Sequence, residues 1–251
     1  MSGHSKWATI KHKKGALDAK LGALFTKLIK EITTAARTGG GSIDTNPRLR
    51  LAIEKGKAAN MPSDNIDRAV KKGTGELPGV TYEEFLYEGY GPHGIALLIE
   101  ILTDNKNRAA SEIRNILEKK GGSLSGPGSV AWQFAKKGLL IVKKEAADEE
   151  KLMMIALDAG ASDFIPGKEI YEITTEPNHD FESVKKALAA AGIATESAEI
   201  TRIPSATVKV AGVNEAKSVM LLVDALEDHE DVQNVYANFD IPDEILQELA
   251  K

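Results

Sequence analysis

The side chains best suited to chemistry lie near the start of the chain: Lys6, Lys11, Lys13, Lys14, Lys20, Lys27 and Lys30, with Trp7 and His12 among them. Residues 1–40 hold seven Lys and one Arg against two acids, Asp18 and Glu31. Clustered ammonium groups neutralise phosphates and release the counterions condensed on a polyanion. An aromatic ring inside such a cluster can stack on an unpaired base; Trp7 and Ile10 can equally fold back as apolar anchors. The chemistry implied is polyanion binding, with Arg48 and Arg50 as further candidates for closer contacts.

The cluster stands out because the chain as a whole is acidic, with a net charge of −5. Residues 1–75 carry 15 Lys+Arg and 6 Asp+Glu, net +9, whereas residues 76–251 carry 17 and 31, net −14. A basic head on an acidic body marks both a boundary and a partner, since only the head attracts a polyanion.

The elements that must position these cations follow from periodicity. Residues 1–14 show no helical apolar period and read as an arm. From Ala16 to Arg37, Leu17, Leu21, Leu24, Phe25, Leu28, Ile29 and Ile32 fill one arc of roughly 140° on a helical wheel. Lys13, Lys20 and Lys27 recur every seven residues as a stripe beside that arc, with Lys30 next to it. Gly39-Gly40-Gly41 ends the helix. A second helix starts at Thr45 or Asn46 with Pro47 at its first position and runs to about Ala59. Leu49, Ala52 and Ile53 face inward; Arg48, Arg50, Lys55 and Lys57 face out. A third, from Ser63 to Gly73, offers Ile66, Ala69 and Val70. Three short amphipathic helices make a small bundle, and residues 74–80 form a linker.

Beyond Thr81 the period shifts toward two. Strands are predicted at about 82–90 and 94–102, then a helix capped by Asp104 over 106–120 and a glycine-rich connection, 122–129. Strands at 130–135 and 139–143 flank Lys136-Lys137-Gly138, read as a turn. A helix at 147–158, strands at 162–165 and 169–175, a helix at 180–191 and a strand at 194–202 follow. Strand 206–210, helix 214–228, strand 232–238 and a helix from Pro242 close the chain. Residues 139–203 alone spell β-α-β-β-α-β, a split βαβ unit of the ferredoxin-like kind. The elements on either side must then pair with each other. The expected fold is multi-domain α+β: an N-terminal helical bundle plus two ferredoxin-like α+β domains, one inserted in the other. The boundaries are 1–75, then 76–128 with 204–251, and 129–203 inserted.

Other chemistries find no support. The absence of cysteine excludes disulfides, a Cys-based zinc site and a Cys nucleophile. The five histidines form no H-x-x-x-H pair, so no metal site is expected. Gly89-Tyr90-Gly91-Pro92-His93-Gly94 spells G-x-G-x-x-G, but a strand follows it and Pro92 removes a donor, which suits a strand-to-strand turn. Asp224, Glu227, Asp228, Glu230 and Asp231 read as solvating carboxylates. No catalytic residues and no cofactor are expected, and the chain is not read as an enzyme. No signal peptide is evident, and the longest apolar run, Ile95 to Leu102, is broken by Glu100, so a cytoplasmic protein without a membrane contact is expected.

GHSKW (3–7), IKHKKGALDAK (10–20), LFTKLIKEI (24–32), AARTGGG (35–41) and NPRLRLAIEKGKAANMPSDNIDRAVKKGTG (46–75) resemble the N-terminal region of the YebC/PmpR family. YEGYGPHGIALLIEILTDNKNRAASEIR (87–114) and KKGGSLSGPGSVAWQF (119–134) resemble it too, so the similarity runs nearly the full length. The resemblance implies a three-domain, non-enzymatic regulator of gene expression. Its members, which include the mitochondrial translational activator of cytochrome c oxidase, are described as DNA-binding transcriptional regulators and also as ribosome-associated translation factors that help difficult nascent sequences. Nucleic acid is the implied partner, either DNA or ribosomal RNA, with protein contacts through the acidic α+β domains. The implied contacts are Lys6, Trp7, Lys11, Lys13, Lys14, Lys20 and Lys27. Leu21-Gly22-Ala23 stands where the family commonly has Arg-Gly-Lys, which shifts the load from the helix to the arm.

Overall fold

The computed structural model describes residues 17–249, apart from the side chains of residues 17–20, 243, 246 and 247. Helix α1 (Leu17–Gly39) packs on α2 (Pro47–Ala58) and α3 (Ser63–Thr74). Leu28, Ile32, Ala35 and Ala36 are buried against Leu49, Ala52, Ile66 and Ala69. Within the apolar arc of α1, Leu28 and Ile32 are buried and Ile29 partly so, whereas Leu24, one turn before Leu28, is 42% exposed. The buried Asn46 joins two helix ends. Its Oδ1 accepts from the Leu49 N–H at 3.1 Å, capping α2, and its Nδ2 donates to the Ala35 and Gly40 carbonyls, both at 2.8 Å. That satisfies groups each helix leaves unpaired at its terminus. Gly73 lets α3 approach α1 closely, because a Cβ there would lie 2.4 Å from the Thr33 carbonyl oxygen.

Strands β1 (Glu83–Tyr90) and β2 (Ala96–Thr103) form an antiparallel hairpin, and the G-x-G-x-x-G segment is the turn between them. Helix α4 (Lys106–Lys119) follows, capped by Asn105, whose Oδ1 accepts from the Arg108 N–H at 3.1 Å. The expected cap, Asp104, instead pairs with the Arg108 guanidinium at 2.9 Å. Strand β3 (Ser123–Ser125) then adds to the edge of β1. Next come β4 (Phe134–Lys143), α5 (Glu149–Asp158), β5 (Asp163–Pro166), β6 (Ile170–Thr175), α6 (His179–Ala190) and β7 (Ser197–Pro204). The chain ends with β8 (Val208–Lys209), α7 (Val213–Glu227), β9 (Val232–Ala237), β10 (Phe239–Asp240) and α8 (Asp243–Leu249).

The chain divides into two compact units. Among the described residues, one is Trp132–Thr207; the other joins residues 17–131 with residues 208–249. In the first, the sheet order is β5-β6-β4-β7 with every neighbouring pair antiparallel. The turn expected at Lys136-Lys137-Gly138 does not form: β4 runs through it. Gly138 serves close packing rather than a turn, since a Cβ there would lie 2.5 Å from the Phe181 ring of α6, and glycine inside a strand often marks such an approach. Lys137 beside it pairs with Glu176.

The second unit holds the helical segment and an α+β part. Its four-stranded sheet has the order β3-β1-β2-β9, also antiparallel throughout, and β8 pairs with β10 in parallel. Strand β2 and the residue before it lead the packing: Ile95, Leu97, Ile99 and Ile101 are buried with Ile113 and Leu117 of α4, Val219 and Val223 of α7, and Val235 of β9. The fold is mixed α+β, and no described helix is long and apolar enough to cross a membrane.

Candidate nucleic-acid interface

Helical spacing puts Lys27 and Lys30 on one edge of α1, three residues apart. That edge is turned against the C-terminal end of α7 and the segment leading to β9, so it is not the exposed stripe expected from the sequence. The Lys27 ammonium donates to the Glu227 carbonyl. Lys30, itself buried, donates to the Glu230 carbonyl at 3.1 Å and to Asp231 Oδ1 at 2.5 Å. Cations at a helix C-terminus complement its unpaired carbonyls and its dipole.

Asp231 is the centre of this arrangement and is fully buried, where the sequence suggests a solvating carboxylate. Its Oδ2 accepts from Thr103 Oγ1 at 2.9 Å and from Arg108 Nη2 at 2.8 Å. Burial pushes the Asp231 carboxyl up, but the hydrogen bonds from Lys30, Arg108 and Thr103 outweigh it and hold it below its ordinary value. The same bond to Asp231, with a second to Asp104, raises the Arg108 guanidinium. The Tyr82 ring lies 5.7 Å from the Lys30 ammonium, and burial raises its hydroxyl. A buried ion pair persists only when such additional bonds satisfy both partners.

Arg48 is also committed within the unit. Its Nε and Nη2 donate to the two Glu31 carboxylate oxygens at 2.8 and 3.0 Å, and Nη1 reaches Glu84 Oε1 at 2.5 Å. The bidentate bond to Glu31, chiefly, raises its guanidinium. Arg50 is half-buried and gives one N–H to the Ile43 carbonyl at 2.9 Å. Of the candidate contacts, then, Lys27, Lys30 and Arg48 tie the helices to the α+β part. Lys20 belongs to α1, but its side chain lies outside the described residues, as do Lys6, Trp7, Lys11, His12, Lys13 and Lys14 entirely.

Exposed cations of the helical segment include Arg37 on α1, Lys55 and Lys57 on α2, and Arg68 and Lys71 on α3. Lys57 and Lys71 border a groove of about 470 Å³ lined by Ile43, Ile53, Ile66 and Val70. Lys57 is visible in the sequence as an outward position; the groove is not, because it depends on how two helices meet. Asp231 gives no local signal, since its partner Lys30 is 201 residues away.

Glu112, His229 and Asp231 lie close enough to hold a metal ion. Their atoms are otherwise engaged: His229 Nδ1 accepts the Asp231 N–H at 3.1 Å, and Nε2 meets Glu112 Oε2 at 2.8 Å. With both Asp231 oxygens taken by Lys30, Arg108 and Thr103, the cluster is part of the same brace.

Comparison with known proteins adds to this geometry. A family model described as the TACO1/YebC protein N-terminal domain matches residues 5–76, and one described as the TACO1/YebC second and third domain matches residues 82–239. The chain is 59% identical over 248 residues to a "Probable transcriptional regulatory protein" of Desulfatibacillum aliphaticivorans, spanning 99% of this chain and 100% of that one. It is 57% identical over 250 residues to a protein of the same description from Syntrophobacter fumaroxidans, spanning 100% of both. The crystal structure of a conserved hypothetical protein from Aquifex aeolicus matches with a TM-score of 0.84 at 48% identity, over 96% of this chain and 99% of that one.

Proposed function

Because this chain belongs to the TACO1/YebC family, we propose that it is a DNA-binding regulator of transcription whose phosphate grip is the N-terminal arm. Lys6, Lys11, His12, Lys13 and Lys14 would meet phosphate, with Trp7 among them, and Lys20 and Arg50 would extend the contact. The observation that carries this reading is the net charge of +9 on residues 1–75 against −14 on the remainder. The names of the relatives from Desulfatibacillum and Syntrophobacter agree with it. Since Lys27, Lys30 and Arg48 are used internally, the arm bears most of the electrostatic load. Contacts of this type fix orientation but read no bases, so weak sequence preference follows. We further read residues 1–75 as a helical domain, and 129–203 as a ferredoxin-like domain inserted in a second α+β domain. The protein acts in the cytoplasm and without enzymatic turnover.

The test is the salt dependence of binding to duplex DNA, by fluorescence anisotropy, for the parent and for Lys11→Glu, Lys13→Glu and Lys14→Glu combined. Three lost phosphate contacts flatten the slope of log affinity against log salt by about 2.7. An unchanged slope overturns the role of the arm. Recovery of the protein with ribosomal RNA from lysate, with no promoter fragments crosslinked, overturns DNA as the polyanion.

A further inference from the structure

We propose that the outward face of α5 is a docking surface for a basic amphipathic helix of another protein. It belongs to the unit Trp132–Thr207, not to the basic head, and stands whether or not the head binds DNA.

The first observation is a run of apolar residues that the fold covers on one side only. Leu152 to Leu157 is unbroken by any polar residue within the helix Glu149–Asp158. At 100° per residue such a run wraps the whole helix, so one covered face cannot hide it. Leu152 and Ala156 are fully buried and Ile155 is half-buried. Met154, Leu157 and Met153 keep 64%, 49% and 38% of their surface exposed. Spacings of three and four residues make Leu157 a neighbour of both methionines, so the three form one patch. Single exposed apolar residues are ordinary, whereas a contiguous patch marks a contact surface. Methionine adapts its shape to an incoming side chain, which suits such a face.

The charges beside the patch select the partner. Glu150 precedes the two methionines by three and four residues, and Asp158 follows Met154 by four, so both carboxylates share this face. Both are exposed, and neither side chain has an ion pair or hydrogen bond among the described residues. By contrast, Glu149 lies 3.8 Å from the Lys144 ammonium, and Asp148 Oδ1 caps the helix by accepting the Lys151 N–H at 3.1 Å. Lys151, the one basic residue in the helix, sits at the edge of the patch beside Met154. The unit as a whole carries 13 Asp+Glu against 9 Lys+Arg. Such a surface repels nucleic acid and anionic membranes. A second copy fits poorly, because antiparallel pairing about Met154 sets the Glu150 of one copy against the Asp158 of the other. Lysines flanking an apolar stripe meet both features, and a basic amphipathic helix presents that pattern.

The probe is a fluorescein-labelled synthetic helix of about 18 residues, leucine on one face and lysine on the other. In anisotropy with the full chain it should bind to saturation, and added salt should weaken it. A leucine–glutamate peptide of the same pattern should not bind. Met154→Gln and Leu157→Gln should each weaken binding about 5- to 30-fold, with an unchanged urea midpoint because both residues are exposed. Glu150→Lys with Asp158→Lys should weaken it too and flatten the salt dependence. Equal binding of both peptides, no binding of the leucine–lysine peptide, or unchanged affinity in both Met154→Gln and Leu157→Gln would each overturn the proposal. So would sedimentation of the parent as a dimer that Leu157→Gln dissociates, since a second copy would then cover the face. None of these measurements uses DNA, so a failure here is distinct from a failure of the head.

Discussion

The ammonium of Lys30 on the first helix lies 2.5 Å from the buried carboxylate of Asp231, 201 residues further along the chain. Four further groups complete the site: Arg108 and Thr103 on the carboxylate, the Glu230 carbonyl on the ammonium, and the Tyr82 ring beside it. A cation whose place beside a lysine stripe suggests phosphate binding thus holds the helices to the sheet that follows them.

Removing Lys30 leaves Asp231 Oδ1 buried without its cation, with only Arg108 and Thr103 on the other carboxylate oxygen. Lys30→Ala should destabilise the protein by about 3–5 kcal/mol, read from urea unfolding. The pair Lys30→Met with Asp231→Leu should cost less than the two single changes added together, because neither charge is then stranded. Additive costs would show that the two residues do not depend on each other.

The same carboxylate makes stability sensitive to acid. Its folded pKa is depressed by Lys30, Arg108 and Thr103 against the opposing effect of burial. The stabilisation is therefore complete above the unfolded value of about 4 and is lost as pH falls through the lower folded value. Urea midpoints measured from pH 7 to about pH 2.5 should fall steeply below pH 4 for the parent. Asp231→Asn should start lower at pH 7 and decline less over the same interval.

Glu88 shows a second depressed carboxylate with a different task. Burial raises it, but the N–H groups of Val130, Gly128 and Ala131 outweigh that, and they bind it at 2.7, 2.6 and 2.8 Å. These bonds fix the last residues before the unit that begins at Trp132. Glu88→Gln replaces one acceptor oxygen by a donor and strands at least one N–H, at a cost of about 1–3 kcal/mol. Hydrogen exchange should quicken at Gly128, Val130 and Ala131 and stay unchanged in α2.

Periodicity locates most elements because local rules suffice for them. Pro47 behind Asn46 marks a helix start, and alternation marks the strands on either side of the Gly89–Gly94 turn. Where a residue's role depends on something distant, the local reading fails. Lys136-Lys137-Gly138 looks like a turn because glycine commonly makes one, yet Gly138 is there to admit Phe181. Asp231 looks like one more solvating acid in a run of acids, and only the fold brings Lys30 and Arg108 to it. Arg48 looks outward-facing on α2, and the acids that claim it come from α1 and β1.

Two glycines of the helical segment should respond to alanine with opposite signs. Gly22 lies within α1 with nothing within 4 Å of an added Cβ. Alanine there removes the entropic penalty of glycine in a helix and should stabilise by about 0.5–1 kcal/mol. Gly73 lies in α3, where the added Cβ would meet the Thr33 carbonyl oxygen at 2.4 Å and the Ala36 Cβ at 2.6 Å. Both obstacles belong to α1 and neither is the flexible end of a side chain, so the helices must separate. Overpacking of this kind should cost about 1–3 kcal/mol despite the better helix propensity of alanine. Because Thr33 Oγ1 also donates to the Ala69 carbonyl at 3.2 Å, separation stretches that bond as well. Urea unfolding of the two variants beside the parent checks the pair, and a stabilising Gly73→Ala would mean that α1 and α3 are not in close contact in solution.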